Sequence, residues 1–279
     1  MKIKYKNLPV LSYKTLVDIK EALKSKKEKL EISTDLGLTS EFINLYPESD
    51  SFQIWSNEIY FPVSFREDTK ICYFVDQNQL FPLKIFSEES NFFYSLVPTS
   101  WRPILRLSAT PMHKKPFLDA IEKFQFKGMV LDSGTGLGYS AIVVSKTATR
   151  VISVEWDKMV LEIASYNPHS KILFSSENIE LRNADITDEI LLFEDNYFDN
   201  IIHDGGMPKS SGNFFSQDHC NQLYRVLKSG GYLAFYLPQH GRSKGRDYGA
   251  EHLERLKKAG FYVKARDIEG SYAVLYKGN

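Results

Sequence analysis

Met129-Val-Leu-Asp-Ser-Gly-Thr-Gly-Leu-Gly-Tyr-Ser140 is the stretch on which the reading of the chain turns. Met129, Val130 and Leu131 form a short apolar run that predicts a buried strand, and Asp132 ends it. Gly134, Gly136 and Gly138 follow at alternate positions, and Tyr139 to Lys146 opens a helical pattern. Strand, glycine turn and helix make the first unit of a doubly wound α/β fold, which binds ligands beyond the carboxyl ends of its strands. Glycine lets the backbone turn sharply and approach a ligand with no Cβ in the way.

The glycine spacing narrows the ligand. A dinucleotide fingerprint reads G-x-G-x-x-G. From Gly134 it requires glycine where Tyr139 stands. From Gly136, the pair Gly138 and Ala141 meets the variant that ends in alanine, so spacing alone leaves a dinucleotide open. The lysine of a triphosphate-cradling loop is absent, which argues against a nucleoside triphosphate.

Outward from the turn the alternation is regular. Strands are expected at 129–132, 150–154, 178–182, 198–203, 230–237, 261–266 and 271–276. Helical patterns lie at 138–146, 157–166, 186–192, 215–228 and 249–259. Such alternation predicts a mainly parallel sheet covered by helices. Only Asp267-Ile-Glu-Gly270 separates the last two strands, so they must form an antiparallel hairpin. The expected class is therefore α/β, a Rossmann-like sheet of seven strands with a C-terminal antiparallel hairpin.

The N-terminal part has a different texture. Leu16, Ile19 and Leu23 fall at helical spacing between Ser12 and Lys27, with lysines on the other side. Short strand-like runs follow at 29–34, 41–46, 52–55, 59–63, 71–75, 80–86 and 92–97. Together they predict a β-rich domain with one helix over 1–100. The proline-punctuated stretch 101–116 reads as a linker, and 117–279 as the domain of the glycine turn, opening with a helix at 117–126. Thr34 to Ile43 has the central glycine of a helix-turn-helix, but no basic recognition face follows it.

Composition sets bounds. The chain has 279 residues, 43% hydrophobic and 14% aromatic, enough for a sizeable core. A formal net charge of zero gives no overall electrostatic case for nucleic acid or an anionic membrane. Cys72 and Cys220 are far apart and make no metal spacing, which predicts a reducing cytoplasmic setting. No apolar run nears a membrane span, and the Lys-rich start lacks the apolar core of a signal peptide.

Several side chains are placed to do chemistry. Asp132, where the first sheet strand meets the turn, is positioned to accept from the turn or from a ligand amino group. Glu155 ends the second strand, about 20 residues past the turn, where a carboxylate accepts both hydroxyls of a ribose. Trp156 offers a flat apolar face to a base, and Asp157 is expected to cap the next helix. Ala184 and Asp185 follow the third strand, where Asp185 is also a natural helix cap. His203 and Asp204 follow the fourth; His203 is a candidate general base and equally a candidate structural histidine.

With these residues in place, Val130-Leu-Asp-Ser-Gly-Thr-Gly-Leu-Gly resembles motif I of class I S-adenosylmethionine methyltransferases. Residues 104–276 are similar to a family of predicted archaeal members, through Leu107 to Lys114, Val154-Glu-Trp-Asp157, Ile201-Ile-His-Asp204, Leu223 to Gly231 and Gly241 to Asp247. The resemblance implies S-adenosylmethionine as cofactor. It implies cofactor contacts from Asp132, Gly134, Thr135, Gly136, Gly138, Glu155, Trp156, Ala184, Asp185 and His203, with Asp204 and His203 at the transferred methyl. It further places Met112 and His113 at the cofactor's border. The acceptor stays open among RNA, protein and small molecules. Arg242, Lys244, Arg246 and Asp247 are either a phosphate-holding cluster or a solvated loop.

One departure stands out. The family reads His-Asp-Pro-Pro-Arg after its fourth strand, where this chain has His203-Asp-Gly-Gly-Met207. Two glycines are expected to loosen a loop that catalysis needs preorganised. Two other readings follow: a non-catalytic cofactor-binding protein, or an aminopropyltransferase of the spermidine-synthase type. The latter resemblance calls for an acid inside the glycine turn, where this chain has Thr135 and Leu137.

Overall fold

A computed structural model describes residues 3–61, 65, 70–112, 115–205, 213–237 and 247–278. By contacts the chain divides into two compact units, Met1–Met112 with Met159–Phe174, and His113–Lys158 with Ser175–Asn279.

The first unit is β-rich, with three antiparallel sheets among its described residues. One is β1 (Val10–Ser12), β6 (Cys72–Asp76) and β7 (Gln79–Pro82), in the order β1-β6-β7. The second is a meander of β2 (Lys29–Ile32), β3 (Glu41–Tyr46), β4 (Ser51–Ile54) and β5 (Asn57–Tyr60). The third is β8 (Lys84–Ser87), β9 (Phe92–Val97), β10 (Ile104–Leu107) and β11 (Thr110–Pro111), in the order β11-β10-β9-β8. Part of the stretch expected as a linker, 101–116, is therefore strand. Leu105 and Leu107 are buried, and that burial keeps β10 in the sheet.

The run expected as one strand at 80–86 is two strands. Pro82 has no N–H and closes β7. Buried Leu83 then donates to the Cys72 carbonyl of one sheet and accepts from Leu96 N–H of another, so it joins the two. α1 (Tyr13–Lys24) follows the sequence pattern, burying Leu16, Ile19, Ala22 and Leu23. Ser12 caps it, accepting from Thr15 N–H at 3.0 Å. Such a cap stabilises a helix by about 1 kcal/mol.

The second unit holds the seven-stranded sheet. Its strands are β12 (Gly128–Ser133), β13 (Ala148–Glu155), β14 (Ile179–Asn183), β15 (Phe198–His203), β16 (Leu227–Tyr236), β17 (Phe261–Asp267) and β18 (Tyr272–Lys277). The order is β14-β13-β12-β15-β16-β18-β17. β12 to β16 pair in parallel, whereas β18 runs antiparallel to both β16 and β17. The expected fold class is the observed one.

The helices along this part of the chain are α2 (Lys115–Phe124), α3 (Tyr139–Ser145), α4 (Lys158–Tyr166), α5 (Lys171–Ser175), α6 (Ile186–Glu189), α7 (Gln217–Val226) and α8 (Tyr248–Ala259). One apolar core joins Leu131, Ile152, Ile201, Leu233 and Leu275 of the strands to Leu223 of α7 and Leu256 of α8. Each such side chain contributes about 1.5–3 kcal/mol on burial. This packing fixes the carboxyl ends of β12, β13, β14 and β15 as one rim. The strand order reverses between β12 and β15, which is where an open α/β sheet leaves a crevice.

Candidate functional site

The turn after β12 is built from left-handed backbone. Gly134, Gly136 and Gly138 have φ of 84°, 56° and 78°, values an L side chain rarely adopts. Gly134 also has no room for one, since a Cβ there would lie 1.8 Å from the Asp204 carbonyl oxygen. The turn is held on β13, where the Val154 carbonyl accepts from Gly134 N–H at 2.9 Å and Thr135 N–H at 3.2 Å.

Under the turn lies a hydroxyl relay that the sequence did not flag. Ser153 Oγ donates to Asp132 Oδ2 at 2.6 Å and lies 2.7 Å from Thr135 Oγ1. All three residues are buried. Burial pushes the Asp132 carboxyl up to about 6, with the nearby hydroxyls of Ser140 and Ser153 pulling the other way. Among the described residues Asp132 Oδ1 has no hydrogen-bond partner. Leu137 is buried, so the place where an aminopropyltransferase would carry an acid is packed with an apolar side chain.

Glu155 stands at the end of β13. Its Oε2 accepts from Gly136 N–H at 2.9 Å and its Oε1 from Asp157 N–H at 3.1 Å. Burial raises its carboxyl to about 7, against the pull of those two N–H groups; the charges of Asp157 and Asp132 add to the rise. Trp156 is 42% exposed beside it. Asn183, another residue the sequence did not single out, clamps this corner. Its Nδ2 donates to the carbonyls of Glu155 at 2.9 Å and Trp156 at 2.8 Å. Ala184 N–H also donates to the Glu155 carbonyl, at 3.0 Å. Asp185 caps α6, its Oδ1 accepting from Thr187 N–H and Oγ1 at 2.8 Å each. Asp157 is buried immediately before α4.

His203 stands at the end of β15. The residue is fully buried and stacks on Phe214 with ring centroids 3.8 Å apart. Its Nδ1 lies 2.6 Å from Ser133 Oγ and its Nε2 lies 3.3 Å from the Phe214 carbonyl. A carbonyl only accepts, so Nε2 donates and Nδ1 accepts from the serine. Burial holds its basicity well below that of an ordinary histidine. Both nitrogens are committed, so the ring orients β15 against β12 and has no lone pair to give a substrate proton.

Gly205 follows two residues later. It is buried, and a Cβ there would lie 1.9 Å from a Phe214 ring atom. Close packing leaves no room for a side chain at this position. Asp204 N–H donates to the Ser133 carbonyl at 2.9 Å, which ties the start of this loop to the glycine turn. Tyr236, at the end of β16, is a further residue that the sequence did not single out. Burial and then the Asp204 charge raise its phenol to about 12, so it stays protonated beside Asp204. Asp247 caps α8, accepting from Ala250 N–H at 2.9 Å. Gly206, Met207, Pro208, His113, Arg242, Lys244 and Arg246 lie outside the described residues.

The donor set selects among ligands. Asp132 and Glu155 put two carboxyls close enough to sense each other, and no basic side chain stands in the turn 133–140. That arrangement opposes a pyrophosphate. It fits a nucleoside that carries an ammonium and a sulfonium, with the free Asp132 Oδ1 as a ready acceptor. Among the described residues no group of His, Cys, Asp and Glu could hold a metal ion.

Comparison with known proteins agrees. A methyltransferase domain model matches residues 131–235. The uncharacterized protein MJ1233 of Methanocaldococcus jannaschii is 32% identical over 286 aligned residues, which cover 95% of each chain. A spermidine synthase solved with the transition-state analogue AdoDATO superposes with a TM-score of 0.56 at 18% identity, over 75% of this chain and 77% of that one. The spermidine synthase of Thermotoga maritima gives 0.54 at 17% identity, over 75% and 76%. At such identities these two structures speak for the fold alone. The chain belongs to the family of the M. jannaschii protein, and its glycine-turn unit is a class I methyltransferase domain with S-adenosylmethionine as cofactor.

Proposed function

We propose that this protein transfers a methyl group from S-adenosylmethionine to an acceptor presented at the Asp204 end of β15. The observation that carries the reading is the closure of the glycine turn on Glu155 through Gly136 N–H, with buried Asp132 beneath it. Glu155 takes the ribose hydroxyls, since each carboxylate oxygen keeps a lone pair beyond its backbone partner. Asp132 Oδ1 takes the ammonium of the amino-acid moiety. Trp156 covers one face of the adenine, and Ala184 and Asp185 border its edge.

When bound, the cofactor supplies a methyl group that its sulfonium makes electrophilic. The chain's own contribution is positioning. Gly134 brings the turn against the Asp204 carbonyl, which fixes the acceptor loop relative to the cofactor site. Asp204 orients the acceptor nucleophile and takes its proton where it has one, and the Tyr236 hydroxyl stands by as a donor. Holding reactants near attack distance supplies much of the rate in such a displacement. His203 is a positioning residue that keeps the ends of β12 and β15 together.

Titration calorimetry with S-adenosylmethionine, its decarboxylated form and S-adenosylhomocysteine tests the site. Labelled methyl transfer into RNA, protein and metabolite fractions tests the reaction. Tight binding of the first and third, weak binding of the decarboxylated form, and label in one fraction are expected. A preference for the decarboxylated form would favour an aminopropyltransferase, a reading that the spermidine-synthase-like fold keeps in view and that Thr135 and Leu137 oppose. Binding with no transfer to any fraction would leave a cofactor-binding protein without activity.

A further inference from the structure

The meander of β2, β3, β4 and β5 has one face in the core, through Ile43, Leu45, Phe52, Ile54 and Ile59. Its other face carries large aromatic side chains on the outside. Phe42 is 72% exposed, Tyr60 66% and Tyr46 39%. A solvated sheet face ordinarily alternates to charged and polar side chains. Along β3 the outward positions are instead Phe42, Asn44 and Tyr46, with no charge among them. At about 200 Å² per ring the three expose about 350 Å², over two fifths of the roughly 800 Å² per partner that a standard interface buries.

The polar side chains of this face have an order. The strand register sets Lys29 opposite Asn44, Asn44 opposite Gln53, and Gln53 opposite Glu58. One row across the sheet therefore reads Lys, Asn, Gln, Glu, with a positive charge at one edge, a negative charge at the other and amides between. Phe42 precedes Asn44 by two residues, so its ring stands in the neighbouring row. The charges are balanced, which gives a polyanion no hold. They are also self-complementary. A twofold axis along the strands, with the faces turned toward each other, sets Lys29 of one copy over Glu58 of the other. The same axis sets Asn44 over Gln53. Glu31, the other charge on the face, lies opposite Phe42 on the β2 edge and stays at the rim, accepting from Ser40 Oγ.

From this arrangement we infer that a second copy of this chain covers the outer face of the β2–β5 meander, the two sheets packing face to face about a twofold axis parallel to their strands. An isologous contact needs a surface that is its own complement, and this row provides one. Phe42 and Tyr46 flank the Asn44–Gln53 pairs along the axis, and the Lys29–Glu58 pairs stand at the rim.

Sedimentation velocity on the full chain, from low to high micromolar, tests the inference. The wild type is expected to be dimeric. Phe42→Asp is expected to be monomeric with an unchanged circular dichroism spectrum, because the residue it replaces is mostly exposed. Lys29→Glu and Glu58→Lys each create a like-charge contact and should weaken the dimer by about three- to tenfold, while the double exchange restores it. A wild type that stays monomeric at the highest concentration overturns the inference. So does a dimer indifferent to Phe42→Asp, and so do two charge reversals whose effects add instead of cancelling.

Discussion

Ser133 Oγ and His203 Nδ1 lie 2.6 Å apart, a buried hydrogen bond across 70 residues of sequence. The two residues are also paired in register at the carboxyl ends of β12 and β15. One bond therefore joins the strands that flank the crevice, between the glycine turn on one side and the Asp204 loop on the other. Removing the hydroxyl leaves a buried imidazole nitrogen unpaired, which costs about 1–3 kcal/mol. Ser133→Ala should lose that much stability in chemical denaturation, and adding His203→Phe should recover part of it. A single variant within a few tenths of a kcal/mol of wild type would remove the bond from the account.

Gly134 and Gly205 are expected to be the least tolerant positions of the site. Gly134→Ala must move the Asp204 carbonyl and also adopt a left-handed φ of 84°. We expect it to weaken S-adenosylhomocysteine binding by at least about tenfold, with a stability loss of about 2 kcal/mol or more. Gly205→Ala meets the Phe214 ring, and Phe214→Ala in the same chain should relieve part of its cost. Calorimetry and denaturation read both outcomes. Additive losses in the double variant would show that the ring is not what excludes the side chain.

The raised carboxyl of Glu155 gives a pH signature. Its folded value of about 7 exceeds its ordinary value of 4.5, so the folded chain holds that proton more tightly than the unfolded one. Ionising it therefore costs stability as pH rises from about 4.5 to about 7. Glu155→Gln removes the cost, so its melting temperature should gain on the wild type across that window and run parallel below it. Cofactor binding should tighten as pH rises through about 7 in the wild type, because the carboxylate is the better acceptor, and that slope should flatten in the variant, leaving the part that Asp132 contributes near 6. Parallel melting curves, or equal slopes in calorimetry, would refute this.

His219 is 4% exposed in α7, its ring centroid 5.0 Å from that of His203, and neither ring nitrogen makes a hydrogen bond. Burial lowers its pKa to about 4, against the charge of Asp185. The unfolded chain binds this proton more readily, so its contribution to stability falls as pH drops from about 6.5 to about 4. His219→Phe keeps the shape and discards the desolvated nitrogens. At neutral pH it should be at least as stable as wild type, and it should lose less on acidification. Denaturation midpoints from pH 7 to pH 4 measure this, and a variant more acid-sensitive than wild type would contradict it.

The sheet was readable because its signals are local. β12 is a run of buried apolar residues closed by Asp132, and four intervening residues force the final hairpin. The three residues of β1 were missed because so short a run has no period to detect. Glu155 was found by its distance from the turn. Ser153, Asn183 and Tyr236 were not, because each matters through a neighbour that only strand pairing brings near. Phe214 belongs with them. From sequence, Gly205 signals freedom; beside an aromatic ring its missing side chain signals contact.

Lys6 N–H donates to the Ser165 carbonyl at 2.9 Å, and its Nζ reaches Tyr166 Oη at 2.8 Å and forms an ion pair with Glu162. Those acceptors lie at the end of α4, well past the glycine turn. On the ribosome, the segment around Lys6 therefore cannot finish docking until about 160 more residues have been translated. Synthesis has to run through the glycine turn before the stretch around Lys6 can settle, so an earlier-made segment waits on a later one.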